Sequence, residues 1–419
     1  MSSPVTSSSS SPNRWVIAIS AILVQLSLGA VYAWSVFLPA VMKLYGVSKP
    51  AANLTFSIVL AALGITAAFG GYFQNRFGPR VVASVGGILY GIGFILAGFA
   101  PNLLTLYLTY GVLAGIGIGL GYIVPLAMLI KWFPDRRGFI TGLAVAGFGL
   151  GALITTIIAT PLVQPKSLGV SQTFIYLGAA YLVIVVIASQ FFRRAPDGYA
   201  PPGWTPTAAL QTTRTARRYT LAEALRTPKW YVLWLILALN VTAGAALISV
   251  ASPLARELTG VTAVTASIIV SVIAIFNGAG RLFWGWVSDT LGRPYTFLSL
   301  FIIQVIAFAL MPLIGNFGLL LVPAAVIALC YGGGFGTMPA FAADFFGPKN
   351  SGTIYGAMLT AWSAGGIVGP ILIASINTKV ALYIIAGITL VSTILPLVAH
   401  MFARRVATET EVETTPVAG

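Results

Sequence analysis

The stretch FNGAGRLFWGWVSDTLGR, Phe276 to Arg293, sets one cation, Arg281, in a run of apolar residues, with no acid nearer than Asp289. A guanidinium stays charged at any pH a protein meets, so its surroundings must account for it. Composition supplies the first part of the account. The chain has 419 residues, of which 58% are hydrophobic and 8% charged, and its mean hydropathy is +0.94. A soluble domain carries about a quarter charged residues; this is the composition of a membrane protein.

An apolar run of about 20 residues crosses a bilayer as a helix. Such runs lie at 15–39, 53–74, 81–100, 103–130, 139–162, 171–192, 230–252, 263–288, 295–315, 317–343, 352–376 and 380–403. The expected fold is therefore an all-α membrane protein with twelve transmembrane helices. Only one long polar segment interrupts them, the Pro-, Thr- and Arg-rich residues 193–229, which read as a linker between two six-helix halves, 15–192 and 230–403. Residues 1–14, MSSPVTSSSSSPNR, are a low-complexity tail expected to be disordered, without the basic start and cleavage site of a signal peptide. Residues 404–419 form a second tail. The single cysteine, Cys330, lies in an apolar run, so thiols indicate neither a disulfide framework nor a metal site.

The net charge of +14 does not point to nucleic acid, because of where the charges fall. If successive loops alternate sides, Lys43, Lys49, Lys166, Arg256 and Lys379 share one face, and every other Lys and Arg except Arg281 lies on the opposite one. The positive-inside rule makes the basic face cytoplasmic, with both termini inside.

The halves repeat. An offset of 214 carries Gly71 to Gly285, Asn75 to Asp289, Gly78 to Gly292, Gly119 to Gly333, Pro134 to Pro348, Gly138 to Gly352, Gly142 to Gly356 and Gly151 to Gly365. Two pseudo-symmetric six-helix bundles related in parallel around a midplane site are the plan of a rocking secondary transporter.

GYFQNRFGPR (Gly71–Arg80) and GWVSDTLGR (Gly285–Arg293) resemble the loop signature of the major facilitator superfamily, except that Asn75 replaces the usual acid and Thr290 the usual arginine. Narrower matches are VYAWSVFLPAV, KWFPDRRGFITGLAVAGFGLG, NGAGRLFWGWVSD and DFFGPKNSGTIYG. Together they resemble the oxalate:formate antiporter family, which includes bacterial monocarboxylate (lactate-type) transporters. The resemblance implies a multi-pass protein of the cell membrane, the inner membrane of a bacterium, working as a monomer.

Arg281 sits about 12 Å, or two turns, inside the cytoplasmic end of the eighth run. A charge so deep faces a water-filled path or a partner; the alternative is a side chain snorkelling to the interface. Asp135, Asp197, Glu223, Glu257, Asp289, Asp344, Glu409, Glu411 and Glu413 all fall in loops, at helix ends or in the tail, so Arg281 takes its anion from outside the protein. Guanidinium and carboxylate pair through two parallel hydrogen bonds, and in the resembled family the matching arginine holds the substrate carboxylate. There a lysine in the eleventh helix completes the site for a dianion. Here that position aligns with Trp362, which implies a monoanion.

Other expected substrate-binding residues are Asn277, one turn before Arg281 on the same face, and Tyr122 and Tyr331, in the Gly-rich GIGIGLGY and CYGGGFG. Tyr32, Val145, Phe335, Trp362 and Tyr383 are candidate pocket lining, though a lone aromatic in a membrane helix is more often packing. The glycine runs lack the strand and lysine of a phosphate loop and suit close helix packing. His400, the one histidine, has no nucleophile or acid near it in sequence, and no catalytic constellation, cofactor or metal motif is present. The expectation is a transporter of small monocarboxylates (L-lactate, pyruvate or similar), not an enzyme. The alternatives are an oxalate/formate exchanger and a non-transporting membrane sensor. Human-type monocarboxylate transporters resemble this eighth run but carry aspartate where Asn277 stands. Proton–substrate symport is expected here all the same, with the proton travelling on or with the carboxylate.

Overall fold

Each apolar run becomes a helix because a backbone in lipid must satisfy its own hydrogen bonds. A computed structural model describes residues 13–164, 167–196, 199, 201, 219–347 and 350–402. Nearly all of the first tail, most of the linker and the second tail lie outside the described residues, as do Lys166, Arg214, Arg217, Arg218, Lys349, Arg404 and Arg405. The first bundle is α1 (Arg14–Tyr45), α2 (Lys49–Phe77), α3 (Pro79–Gly98), α4 (Leu103–Trp132), α5 (Arg137–Leu162) and α6 (Gly169–Ser189). The second is α7 (Pro228–Thr259), α8 (Ala263–Leu291), α9 (Arg293–Leu313), α10 (Phe317–Phe346), α11 (Gly352–Ser375) and α12 (Thr378–Phe402).

Several helices outrun the apolar segments. The end of α1 reaches Tyr45, α2 starts at Lys49 and α7 continues to Thr259. Their outer turns carry Lys43, Lys49, Arg256 and Glu257, charges that end the uncharged runs read as membrane spans. With twelve crossings, the start of α1 and the end of α12 share one face, here called the terminal face.

The repeated loop signature is a turn forced by glycine. Gly78 and Gly292 adopt φ of +87° and +83°, a region closed to most side chains, and end α2 and α8. Pro79 and Pro294 then occupy the first turns of α3 and α9, where a missing N–H costs nothing. The second copy adds charges: Arg293 pairs with Asp289 at 2.7 Å and with Asp344 of α10 at 3.2 Å. The first copy, with Asn75, has no acid at that place.

Within the bundles α3 packs on α6, α2 on α4, α8 on α10 and α7 on α11; between them α2 meets α11, α5 meets α8 and α1 meets α7. Large apolar side chains such as Phe69, Phe99, Trp286 and Leu313 point outward as a lipid-facing belt.

On the terminal face Arg14 clamps Asp135 of the α4–α5 turn through both carboxylate oxygens, at 2.7 and 3.1 Å. Partial burial raises the Asp135 carboxyl, but the Arg14 hydrogen bond, a main-chain donor and the nearby Arg14 and Arg136 charges outweigh it and hold the group below its ordinary value. A carboxyl depressed in the folded state stabilises above its unfolded pKa, and the contribution fades as pH falls through the native one. Asp135→Asn should therefore lower the melting temperature in detergent at pH 7, with the difference from wild type shrinking as pH falls through the depressed native pKa.

Candidate substrate site

Glycine lets four helices converge on the centre. A Cβ at Gly29 of α1 would run into the carbonyl of Phe148 on α5, Gly149 of α5 lies against Gly278 of α8, and Gly336 of α10 lies against the Arg281 carbonyl of α8. Close backbones at these crossings are the membrane form of tight packing. They bring Tyr32, Phe148, Arg281 and Phe335 together. A 3-10 turn, Gly29–Ala33, interrupts α1 where Tyr32 enters the site.

Arg281 is 2% exposed and does not reach the interface, so it is not snorkelling. Nη1 donates to the Val145 main-chain oxygen at 2.9 Å. The guanidinium carbon lies 5.1 Å from the Phe335 ring centre and 5.7 Å from that of Phe148, both within cation–π range. Nε and Nη2 have no hydrogen-bond partner, and among the described residues no carboxylate pairs with Arg281. These two nitrogens form one edge of the guanidinium, with N–H bonds parallel, the edge that suits a single carboxylate.

An aromatic box surrounds this edge. The fully buried Trp362 lies 4.6 Å from Phe335, 5.2 Å from Tyr122, 5.6 Å from Phe148 and 6.4 Å from Tyr32, ring centre to ring centre. The Tyr32 and Tyr331 hydroxyls hydrogen-bond at 2.8 Å, joining the two bundles. The Tyr122 hydroxyl lies near Arg281 and Tyr355 but short of hydrogen-bonding geometry, and the Trp362 indole N–H is unpartnered. Charge, uncommitted donors and apolar walls are what a small carboxylate with a short tail requires.

The structure thus gathers Arg281, Tyr122, Tyr331, Tyr32, Trp362 and Phe335. Asn277 is fully buried with both amide atoms unpartnered, but it sits at the α8–α10 contact against Gly332 and makes no bond to the guanidinium. Val145 contributes its carbonyl, a role side-chain reasoning could not assign. Tyr383 is a correction: its side chain is 46% exposed on the outer face of peripheral α12, away from the site. Two residues were missed. Tyr355 of α11 is buried beside Tyr122 and Arg281. Phe148 had an available signal, because the 214-residue offset carries it onto Trp362, and the two rings meet edge to face at the centre.

On the face opposite the termini the bundles are tied by polar bonds. Asn53 of α2, fully buried, accepts from the Trp34 indole and donates to Ser249 Oγ of α7 and to the Pro370 carbonyl of α11, each at 3.1 Å. One turn outward, Lys49 lies 3.4 Å from Thr378 Oγ1 and 3.8 Å from Glu257. Nearer the site Ser363 Oγ of α11 donates to the Ala61 carbonyl of α2 at 2.8 Å and Arg281 to the Val145 carbonyl. Beyond all these and the Tyr32–Tyr331 pair, no other side-chain hydrogen bond links α1–α6 to α7–α12 among the described residues. The site is closed on one side by a polar latch and on the other by packing.

A twelve-helix protein of two like halves around a buried cation and an aromatic box is built as a membrane transporter. The profile of the Major Facilitator Superfamily matches residues 17–370 and 233–417, and the chain belongs to that superfamily. It is 32% identical over 375 residues to the uncharacterized MFS-type transporter YhjX of Escherichia coli, covering 87% of this chain and 88% of that one. It is 31% identical over 370 residues to the oxalate:formate antiporter of Oxalobacter formigenes, covering 88% and 86%, and 29% identical over 387 residues to mouse monocarboxylate transporter 11, covering 87% and 81%. Among solved structures, a bacterial homologue of the human lysosomal transporter Spinster, inward-facing and occupied, superposes with a TM-score of 0.69 over 97% of this chain and 100% of that one, at 17% identity.

Removing the latch should open the face it closes. In Asn53→Ala the Trp34 indole and the Pro370 carbonyl lose a buried partner, which disfavours the closed arrangement. The check is labelling by a membrane-impermeant thiol reagent of Ser252→Cys, buried one turn beyond Ser249, in a Cys330→Ser background. Labelling should rise several-fold on adding Asn53→Ala; an unchanged rate would show that the closure does not depend on this amide.

Proposed function

We propose that the protein is a secondary transporter of small monocarboxylates of the size of L-lactate or pyruvate, working by alternating access in a cell membrane with both termini cytoplasmic. Residues 15–192 and 230–403 are the units that rock. The observation that carries the reading is the free Nε–Nη2 edge of a buried Arg281 inside an aromatic box. One such edge matches one carboxylate. The place where the resembled antiporter family has a lysine holds Trp362, so the site offers one cation, suited to one negative charge, with ring surface for a short tail. Tyr122, Tyr331 and Tyr32 supply hydroxyls, and Asn277 lies one turn from the cation. The second reading, an oxalate/formate exchanger, is favoured by the 31% identity to the oxalate:formate antiporter.

The test is uptake of labelled L-lactate into proteoliposomes, with competition by a panel of mono- and dicarboxylates. Monocarboxylates should compete and oxalate should not. Arg281→Ala should abolish uptake. Arg281→Lys keeps the charge but loses the paired geometry, and should raise KM by about 10- to 100-fold, the value of one charge-assisted hydrogen bond. Wild-type transport by Arg281→Ala would remove the site.

Coupling to protons is the second half of the proposal. Asn277 cannot titrate, so the proton travels on the carboxylate or beside it at Arg281. An anion moving alone into a negative interior works against about 2.3 kcal/mol per 100 mV, which a co-transported proton cancels. A pH gradient, acid outside, imposed on substrate-free vesicles at clamped potential should drive accumulation. An obligatory exchanger accumulates nothing there until the lumen holds a counter-anion. Asn277→Asp should shift the pH profile of uptake.

A further inference from the structure

Passing the site, α10 carries glycine at 332, 333, 334 and 336. Three of these meet α8: Gly332 lies against Asn277, Gly333 against the Trp284 ring and Gly336 against the Arg281 carbonyl. The glycines admit α8 closely enough to bring Arg281 to the site. They also weaken this stretch of α10, since glycine is the poorest helix former after proline. Tyr331 and Phe335, two walls of the site, flank it.

The stretch is held from the side by α7. Asn240, fully buried, donates from Nδ2 to the Tyr331 main-chain oxygen at 3.2 Å. Its Oδ1 accepts from Gln304 Nε2 of α9 at 3.0 Å, and that same Nε2 also donates to the Leu300 carbonyl at 3.3 Å. A Cβ at Gly334 would displace the Asn240 amide, so the glycine and the asparagine fit together. The chain of bonds runs from α9 through α7 to α10, and the Tyr331 hydroxyl continues it to Tyr32 of the first bundle.

We propose that Asn240 is a positioning residue for the substrate site: its amide fixes the glycine-weakened segment of α10 and so sets the Tyr331 hydroxyl and the Phe335 ring against Arg281. The proposal rests on the reading of that site as the carboxylate site. A buried amide in a helix contact also has a bland role, to satisfy itself, and the experiment separates the two. All members of the bond chain except Tyr32 belong to the second bundle, so the support travels with Tyr331 when the bundles move apart.

The experiment measures KM and maximal rate for L-lactate in proteoliposomes for Asn240→Ala, Tyr331→Phe, the double variant and Gln304→Leu, each normalised to folded transporter by its melting curve. Positioning predicts that Asn240→Ala raises KM by about 3- to 10-fold, the scale of one buried hydrogen bond, with maximal rate per folded molecule changed far less. It also predicts that the double variant is no worse than the weaker single variant, because the two groups act as a unit. Gln304→Leu, which frees Asn240 without touching α10, should raise KM in the same direction, and it carries the test if Asn240→Ala does not fold. Fold-changes that multiply in the double variant, or an unchanged KM in Asn240→Ala or Gln304→Leu, overturn the positioning role. Arg281→Ala and Tyr331→Phe distinguish this failure from a deeper one. If both impair uptake, only the role of Asn240 is lost; if neither does, the site itself is wrong.

Discussion

The bond on which the rest turns is the one from Arg281 to the Val145 carbonyl. It joins α8 to α5, hence one bundle to the other, and it engages one nitrogen of a guanidinium buried where a charge is costly. Two aromatic faces give the cation diffuse support at 5.1 and 5.7 Å, but neither supplies an acceptor. A cation held this way is neither neutralised by the protein nor exposed to water. Its remaining edge is uncommitted, and the glycine crossings and the aromatic rings form its surroundings.

Much of this was legible in the sequence because the signals were extreme. Twelve apolar runs, one linker and an offset of 214 gave the architecture, and a lone arginine in an apolar run gave the centre. The rest was hidden for a physical reason. In a membrane helix both the lipid-facing and the core-facing sides are apolar, so periodicity does not say which way a residue points. Tyr383 and Trp362 look alike in sequence, yet one faces outward and the other is buried in the box. The Val145 contribution was invisible for a different reason: every residue has a carbonyl, and only the crossing at Gly149 and Gly278 says which one meets the cation.

The two halves share a plan but divide the work. The offset pairs Phe148 with Trp362, and these rings meet edge to face at the centre. It pairs Arg281 with Ala67 and the Asp289 turn with Asn75, where symmetry ends. The second half carries the charge, the ion pairs of Arg293 and the amide support from Asn240 and Gln304. The first half contributes rings, a carbonyl and the latch residue Asn53. A pseudo-symmetric frame thus carries one-sided chemistry, with the buried charge in one half.

That division bears on coupling in the proposed cycle. With a carboxylate on the Nε–Nη2 edge, the site is close to neutral; without one, Arg281 is a buried cation. An exchanger works only if the unloaded form cannot reorient, and leaving that cation wholly without acceptors would block it. Here the unloaded cation keeps an acceptor of its own, the Val145 oxygen, and two ring faces beside it, so the cost of the unloaded form is reduced. A symporter needs an unloaded form that returns, and this arrangement favours one. The same bond spans the bundles, however, so reorientation must break or carry it. In the proposed cycle the Arg281 contact to α5 is therefore where carboxylate binding and the motion of the halves would meet.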